Sequence, residues 1–229
     1  MLTAGSGLLG GAHSPVGWVV SFIEAPHSVV LPDAEKWRRE LGQELEVSSP
    51  TPFPHCLELL EPLEAPWTRE VLIDCGPWTA YLNNQKDGGD PTSAASQLAR
   101  RLDARCVVAM HSPLHGPGHG GTQLWMFGSD GEPPLMYTRT VYAVAQDGRW
   151  SWGESGRPMP FEDEERYRAR RIRARFDRDL LVSYLGHLGI RVDDPTWFGN
   201  GTCLRQRVAW PTNPETRHQA ARRLGIAGL

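Results

Sequence analysis

Three histidines, His111, His115 and His119, fall within nine residues in the segment HSPLHGPGHGG. Imidazoles this close together can hold a divalent transition metal or place a general base beside a substrate. A helix would align them at i, i+4, but Pro113, Pro117 and the surrounding glycines prevent one. No carboxylate lies inside the segment; Asp130 and Glu132 are the nearest downstream, and HExxH is absent. The expectation is an ordinary surface loop over 111–121, with no metal and no cofactor. In a small enzyme, metal-assisted or not, His111, His115 and His119 are the residues that would act.

Arginine is the second feature with chemical content. It occurs 22 times against two lysines, Lys36 and Lys86. A GC-rich genome explains that bias, although the planar guanidinium also suits bidentate recognition of carboxylate or phosphate. The densest run is Arg166, Arg168, Arg170, Arg171, Arg173, Arg175 and Arg178, set against Glu162, Asp163, Glu164, Glu165, Asp177 and Asp179. Seven positive charges against six negative read as a solvated helix laced with its own ion pairs, Glu162/Arg166 and Glu164/Arg168 among them. Nucleic-acid binding through 166–178 therefore ranks behind other readings, and the formal net charge of −3 points the same way. Nine tryptophans are the other excess. Tryptophan and arginine anchor protein interfaces, which makes Trp152, Arg168, Arg171 and Arg175 the candidate partner-binding residues.

Other enzyme signatures fail on context. Gly5-Ser6-Gly7-Leu8-Leu9-Gly10 matches GxGxxG, but no strand precedes it and no helix can follow it, so it reads as part of a flexible terminus. GxSxG, SxxK and the phosphate-binding P-loop are absent. Cys56, Cys75, Cys106 and Cys203 are widely spaced and sit in apolar surroundings, so they read as free thiols in a reducing, cytoplasmic setting. No apolar run approaches membrane-spanning length.

The elements that must position these residues follow from periodicity. Gly17–Ile23 reads as a strand. Pro32-Asp33 opens a helix carrying Ala34, Trp37 and Leu41, which stops at Gly42. Cys56–Leu60 and Glu70–Asn83 are strand candidates, the second interrupted at Gly76-Pro77. Asp90 and Pro91 start a helix with Ala95, Leu98, Ala99 and Leu102 on one face. Strands follow at Arg105–Met110, Thr122–Phe127, Tyr137–Ala145 and Arg149–Trp152, the last two joined by a hairpin at Asp147-Gly148. Phe161–Leu188 reads as helical, with Ala169, Ile172 and Phe176 as the buried stripe against which Trp150 or Trp152 packs. A short basic helix falls near Glu215–Leu224. The whole reads as α+β: a mixed, largely antiparallel sheet with helices packed on it and an irregular C-terminal extension. Residues 1–16 form the flexible N-terminus, 17–190 one domain, and 191–229 the extension packed on it.

Residues 149–190 carry Arg149, Trp150, Trp152, Gly156, Pro158, Pro160, Phe161, Glu162, Tyr167, Arg170, Arg175, Phe176, Leu181, Tyr184 and Leu188–Ile190 in order. This run resembles one found in uncharacterised actinobacterial proteins. The resemblance implies a shared hairpin-and-helix scaffold and no particular activity. Together these features favour a non-catalytic, protein-binding module of immunity or inhibitor type, or an operon accessory factor. Its partner is a protein, without membrane involvement, and its oligomeric state is left open.

Overall fold

Burial along β1 (Val19–Ile23) explains the architecture. All five residues are buried; Val20 and Phe22 face one core, while Val19 and Ile23 face another. A strand that is apolar on both faces needs cover on both. The computed structural model describes residues 7–88, 92–133, 136–208 and 212–226 and shows how that cover is provided.

The described strands, ten in all, form one large sheet. After β1 come α1 (His27–Glu40), β2 (Glu44–Val47), β3 (Thr51–Pro52), β4 (Arg69–Cys75) and β5 (Trp78–Asn83). Next are α2 (Thr92–Arg101), β6 (Cys106–His115), β7 (His119–Glu132), β8 (Tyr137–Gln146) and β9 (Arg149–Gly156). The chain continues through α3 (Arg178–His187), β10 (Asn200–Arg207) and α4 (Arg217–Leu224). Across the sheet the order is β2-β10-β4-β5-β1-β6-β7-β8-β9, with β3 also paired to β10. Every strand pairing is antiparallel, and one isolated bridge, Glu64 with Gln85, is parallel. Helices α1 and α2 bury Val30, Ala34, Ala95 and Leu98 on one face, with Ile23, Leu72, Tyr81 and Val108. On the other face α3 and a 3-10 turn at His55–Leu60 bury Leu57, Leu60, Leu181 and Leu185 against Phe22, Ile73, Val107 and Val141.

Several sequence expectations hold. The chain turns at Gly76 (φ 69°) between β4 and β5. Asp147 (φ 50°) and Gly148 (φ 73°) both adopt the left-handed region that a tight hairpin between right-twisted strands demands. Ala95, Leu98 and Ala99 are the buried stripe of α2, whereas Asp90 and Pro91 lie outside the described residues.

Other expectations are corrected. Helix α1 starts at His27, and Pro32 lies inside it, so that one turn lacks a backbone donor. Cys56–Leu60 is a 3-10 turn, burying Cys56, Leu57 and Leu60 at helical spacing. Residues 7–16 are not loose: Leu8 and Leu9 are buried, and Leu8 N–H donates to the His111 carbonyl at 3.1 Å. The C-terminal part is no irregular extension, since β10 lies inside the sheet between β2 and β4. Its sequence, NGTCLRQR, has inward-facing Thr202 and Gln206 that disguise a strand buried on both sides.

The largest correction concerns Phe161–Leu188. Only Arg178–His187 is an α-helix; Arg166–Arg168 and Ile172–Ala174 are short 3-10 turns. Side chains take up the backbone groups that a helix would have paired. Arg166 Nε donates to the Ala174 carbonyl at 3.2 Å, Arg175 Nε to the Ala169 carbonyl at 2.8 Å, and Asp163 N–H to the Tyr184 hydroxyl at 2.7 Å. Asp177 then caps α3 by accepting from Leu180 N–H at 3.0 Å.

Candidate functional site

The histidine segment is a hairpin, not a loop: β6 and β7 run through it, with a register irregularity between Ser112 and His115. That irregularity separates the imidazoles. His111 follows Val107 and Ala109 on the α3 face, whereas His115 packs against Trp18 of the opposite core, ring centroids 4.4 Å apart.

His111 is half-buried, with Nδ1 2.9 Å from Thr122 Oγ1. Burial, with help from the Arg178 charge, lowers its pKa to about 4. It is therefore a neutral packing residue at pH 7. His115 Nδ1 lies 2.9 Å from the Pro113 carbonyl. A carbonyl can only accept, so Nδ1 is the donor in this contact. His119 stands 6.3 Å from His115, centroid to centroid, and its Nε2 lies 3.7 Å from Asp147 Oδ1. The two share a hollow of about 280 Å3 with Trp18, Asp87, Ser112 and Gln123. Asp87 is engaged by Arg223 at 2.7 Å. Among the described residues no group of three His, Cys, Asp or Glu side chains is placed to hold a metal ion.

A larger cleft, about 630 Å3, opens at the other end of β7 and β8, over Arg139 and Glu162. The Arg139 and Glu162 side chains are 2% and 0% exposed, which makes their pairing the chief question there. Arg139 Nε donates to both Glu162 oxygens at 2.9 and 3.2 Å. Its Nη1 donates to the Ser155 and Gly156 carbonyls, both at 3.1 Å, and its Nη2 to Glu154 and Glu162. Tyr167 donates to Glu162 at 2.8 Å. Burial disfavours the Arg139 charge, but its hydrogen bonds to Glu162 and Glu154 outweigh that and hold its pKa above the ordinary arginine range. With every guanidinium nitrogen engaged, Arg139 fastens residues 157–167 to the sheet and keeps no donor for a ligand.

A second fastening sits on the opposite face. Arg38 of α1 donates to Glu70 of β4 at 2.7 and 2.8 Å, and Tyr81 donates to the same carboxylate at 2.5 Å. Trp37 and Trp67 flank the guanidinium at 4.2 and 4.8 Å. Sequence reasoning missed both centres. The available signal was register: Arg139 stands in line with the inward-facing Val141, Ala143 and Ala145, and Glu70 with Leu72.

The expected interface residues separate in the same way. Trp152 is half-buried, packed on Tyr167 at 4.9 Å and capped by the Arg175 guanidinium at 5.8 Å. Both belong to the packing under β9. Arg168 is exposed and paired with Glu165 at 2.8 Å, not with Glu164. Glu162 serves Arg139 instead of Arg166, and Arg166 pairs with Asp177. Arg171 is exposed and, with Arg170 and Arg173, makes no ion pair or side-chain hydrogen bond among the described residues. The turn that carries Arg173 packs on β8 and β9. Beside an edge strand, these guanidiniums form an exposed cluster of positive charge without an ion-pair partner among the described residues.

Cysteine chemistry has no place in either region. All four cysteines are free and buried; burial raises Cys56 and Cys75 to about 12 and Cys203 to about 11. Thiolates, the reactive form, are thereby suppressed. No helix among the described residues is long and apolar enough to cross a membrane. Comparison with models of protein families, with curated proteins and with solved structures finds no match.

Proposed function

We propose that this chain is a non-catalytic protein-binding module, of immunity or inhibitor type or an accessory factor encoded beside its partner, acting in the cytoplasm. One observation carries the reading: Arg170, Arg171 and Arg173 stand exposed and unpaired, while the other arginines of 166–178 are internally engaged. Arg166, Arg168 and Arg178 each have a carboxylate, and Arg139 is buried in its own network. An unspent row of guanidiniums on a rigid, fastened segment suits recognition of a carboxylate-bearing surface. It costs little in the free protein because water solvates it. The two large buried charge centres offer no comparable donors.

Affinity capture from the native host, with the wild-type chain and an Arg170→Ser/Arg171→Ser/Arg173→Ser variant as baits, tests this. The expected result is a protein recovered by the wild type and lost with the variant at unchanged melting temperature. Equal recovery with both baits would overturn the assignment of this surface.

A further inference from the structure

The sheet ends on β9, and that end is unusually open. Strand β9 pairs with β8 over eight residue pairs, from Arg139–Gly156 to Gln146–Arg149, without a register shift. Its other edge has no strand partner among the described residues. Natural edges are ordinarily protected by being short, bulged, covered or studded with proline and lysine. The opposite edge follows that rule: β2 has four residues, and Glu46 is engaged by Arg205 and Arg207 of β10. Strand β9 contains no proline, lysine or bulge. Its acidic residue, Glu154, is drawn to Arg139 at 2.6 Å. Residues 149–155 therefore offer a ladder roughly 23 Å long at ~3.3 Å per residue, closed at its end by Gly156 (φ 81°) and by Arg139, which already holds the Ser155 and Gly156 carbonyls.

Charge indicates what fits there. Arg149 begins the strand and Arg157 follows its end; both are exposed and, among the described residues, make no ion pair. Arg170, Arg171 and Arg173 come from the segment packed against its face. Five unpaired guanidiniums thus surround β9, against two carboxylates of the same stretch, Asp163 and Glu164, that lack a cation. A second copy of the chain is a poor occupant. A two-fold axis joining β9 to β9 of a partner keeps the same face upward in both, so the two arginine segments share one side and repel.

We propose, resting on the protein-binding reading above, that β9 is the docking edge for an extended acidic segment of the partner. That segment adds a further strand to the sheet, its main chain pairing with β9 and its alternate carboxylates reaching the arginines. Main-chain pairing supplies the common part of such affinity, and the alternating side chains supply the selectivity. Because one face of an added strand repeats every second residue, the segment is acidic at i, i+2, i+4 on the arginine side.

The test uses the full chain and a capped nine-residue peptide alternating glutamate and valine, with backbone hydrogen exchange as the readout. Three controls accompany it: the same peptide N-methylated at alternate residues, a short oligodeoxythymidylate, and the triple arginine-to-serine variant. At millimolar peptide, amides within 149–156 are expected to exchange at least about tenfold more slowly. The N-methylated peptide should give no protection, and the triple variant should bind about tenfold more weakly, ~1.4 kcal/mol. Peptide binding that needs the arginines but leaves β9 exchange unchanged would overturn strand addition while sparing the binding reading. No peptide binding at all, with capture from the host still arginine-dependent, also overturns strand addition alone. Protection of the same surface by the oligonucleotide but not the peptide would overturn both, in favour of a nucleic acid.

Discussion

Two populations of arginine in this molecule do opposite work. Arg38 and Arg139 are buried, bidentate to a carboxylate and enclosed by aromatic rings or main-chain carbonyls. Arg170, Arg171 and Arg173 lie in water with their donors unspent. The same side chain is a fastening in one place and a free recognition group in the other. What separates them is how many donors the protein itself consumes, not their density in the sequence. The densest run proved mixed, and the arginine with the most hydrogen bonds, Arg139, is an isolated residue in a strand.

The sharpest way to break that contrast is to remove a fastening. Arg139→Ala leaves the Glu162 carboxylate buried and unpaired, and such losses cost about 3–5 kcal/mol. Urea unfolding is expected to show a loss of that size, with Arg139→Lys recovering only part of it because an ammonium, with three donors, cannot serve the two carboxylates and two carbonyls that Arg139 holds. A loss under about 1 kcal/mol would place Arg139 among the exposed arginines energetically.

Acid provides the next largest effect. His111 titrates near 4 in the folded chain, against an ordinary value near 6.5, chiefly through burial. Its neutral form is thus favoured by folding, and the corresponding stability is full above pH 6.5. It declines as pH falls toward 4, by about 3 kcal/mol in total at ~1.4 kcal/mol per pH unit. His111→Asn should reduce the decline in that window, to which His13 and His27, also lowered chiefly by burial, add their own share. A decline of the same slope in the variant and the wild type would mean that other groups carry it.

Trp152 tests the packing beneath the arginine segment. It is half-buried, so Trp152→Ala is expected to cost about 2–3 kcal/mol, less than the ~3–5 of a fully buried aromatic. A change below about 0.5 kcal/mol would return Trp152 to the list of interface anchors. The smallest effect belongs to the exposed row itself. Arg170→Ser/Arg171→Ser/Arg173→Ser should leave unfolding free energy within about 0.5 kcal/mol of the wild type. A larger loss would mean these guanidiniums also hold the fold.

Much of this fold was legible in local pattern. The Asp147-Gly148 turn, the α2 stripe and the strands around β6–β8 each rest on one short-range signal, whether turn chemistry or periodicity. Phe161–Leu188 misled because its composition favours a helix, while its hydrogen bonds are decided by distant residues. Glu162 finds Arg139, 23 positions away, and Asp163 finds Tyr184, 21 away. The candidate site was legible to the level of the arginine segment and not to the residue. Of the residues read as partner-binding, Arg168 and Arg171 are exposed, whereas Trp152 and Arg175 pack beneath them. The histidines could not be sorted from sequence because a strand irregularity at Ser112–His115, not their spacing, sets which way each ring points.

The position of β10 gives the sheet an order of assembly. Strands β2 and β4 join one sheet only through residues 200–207, which lie between them, and β10 reaches back to Glu70 and Glu46, more than a hundred positions upstream. On the ribosome the first hundred residues therefore emerge with one side of β4 unpaired. They wait there until residues 200–207 have been made. Long-range pairing of this kind slows folding and prolongs the exposure of unpaired strands. The chain is thus most open to capture by other polypeptides while it is still being synthesised, at an edge that the finished protein no longer presents.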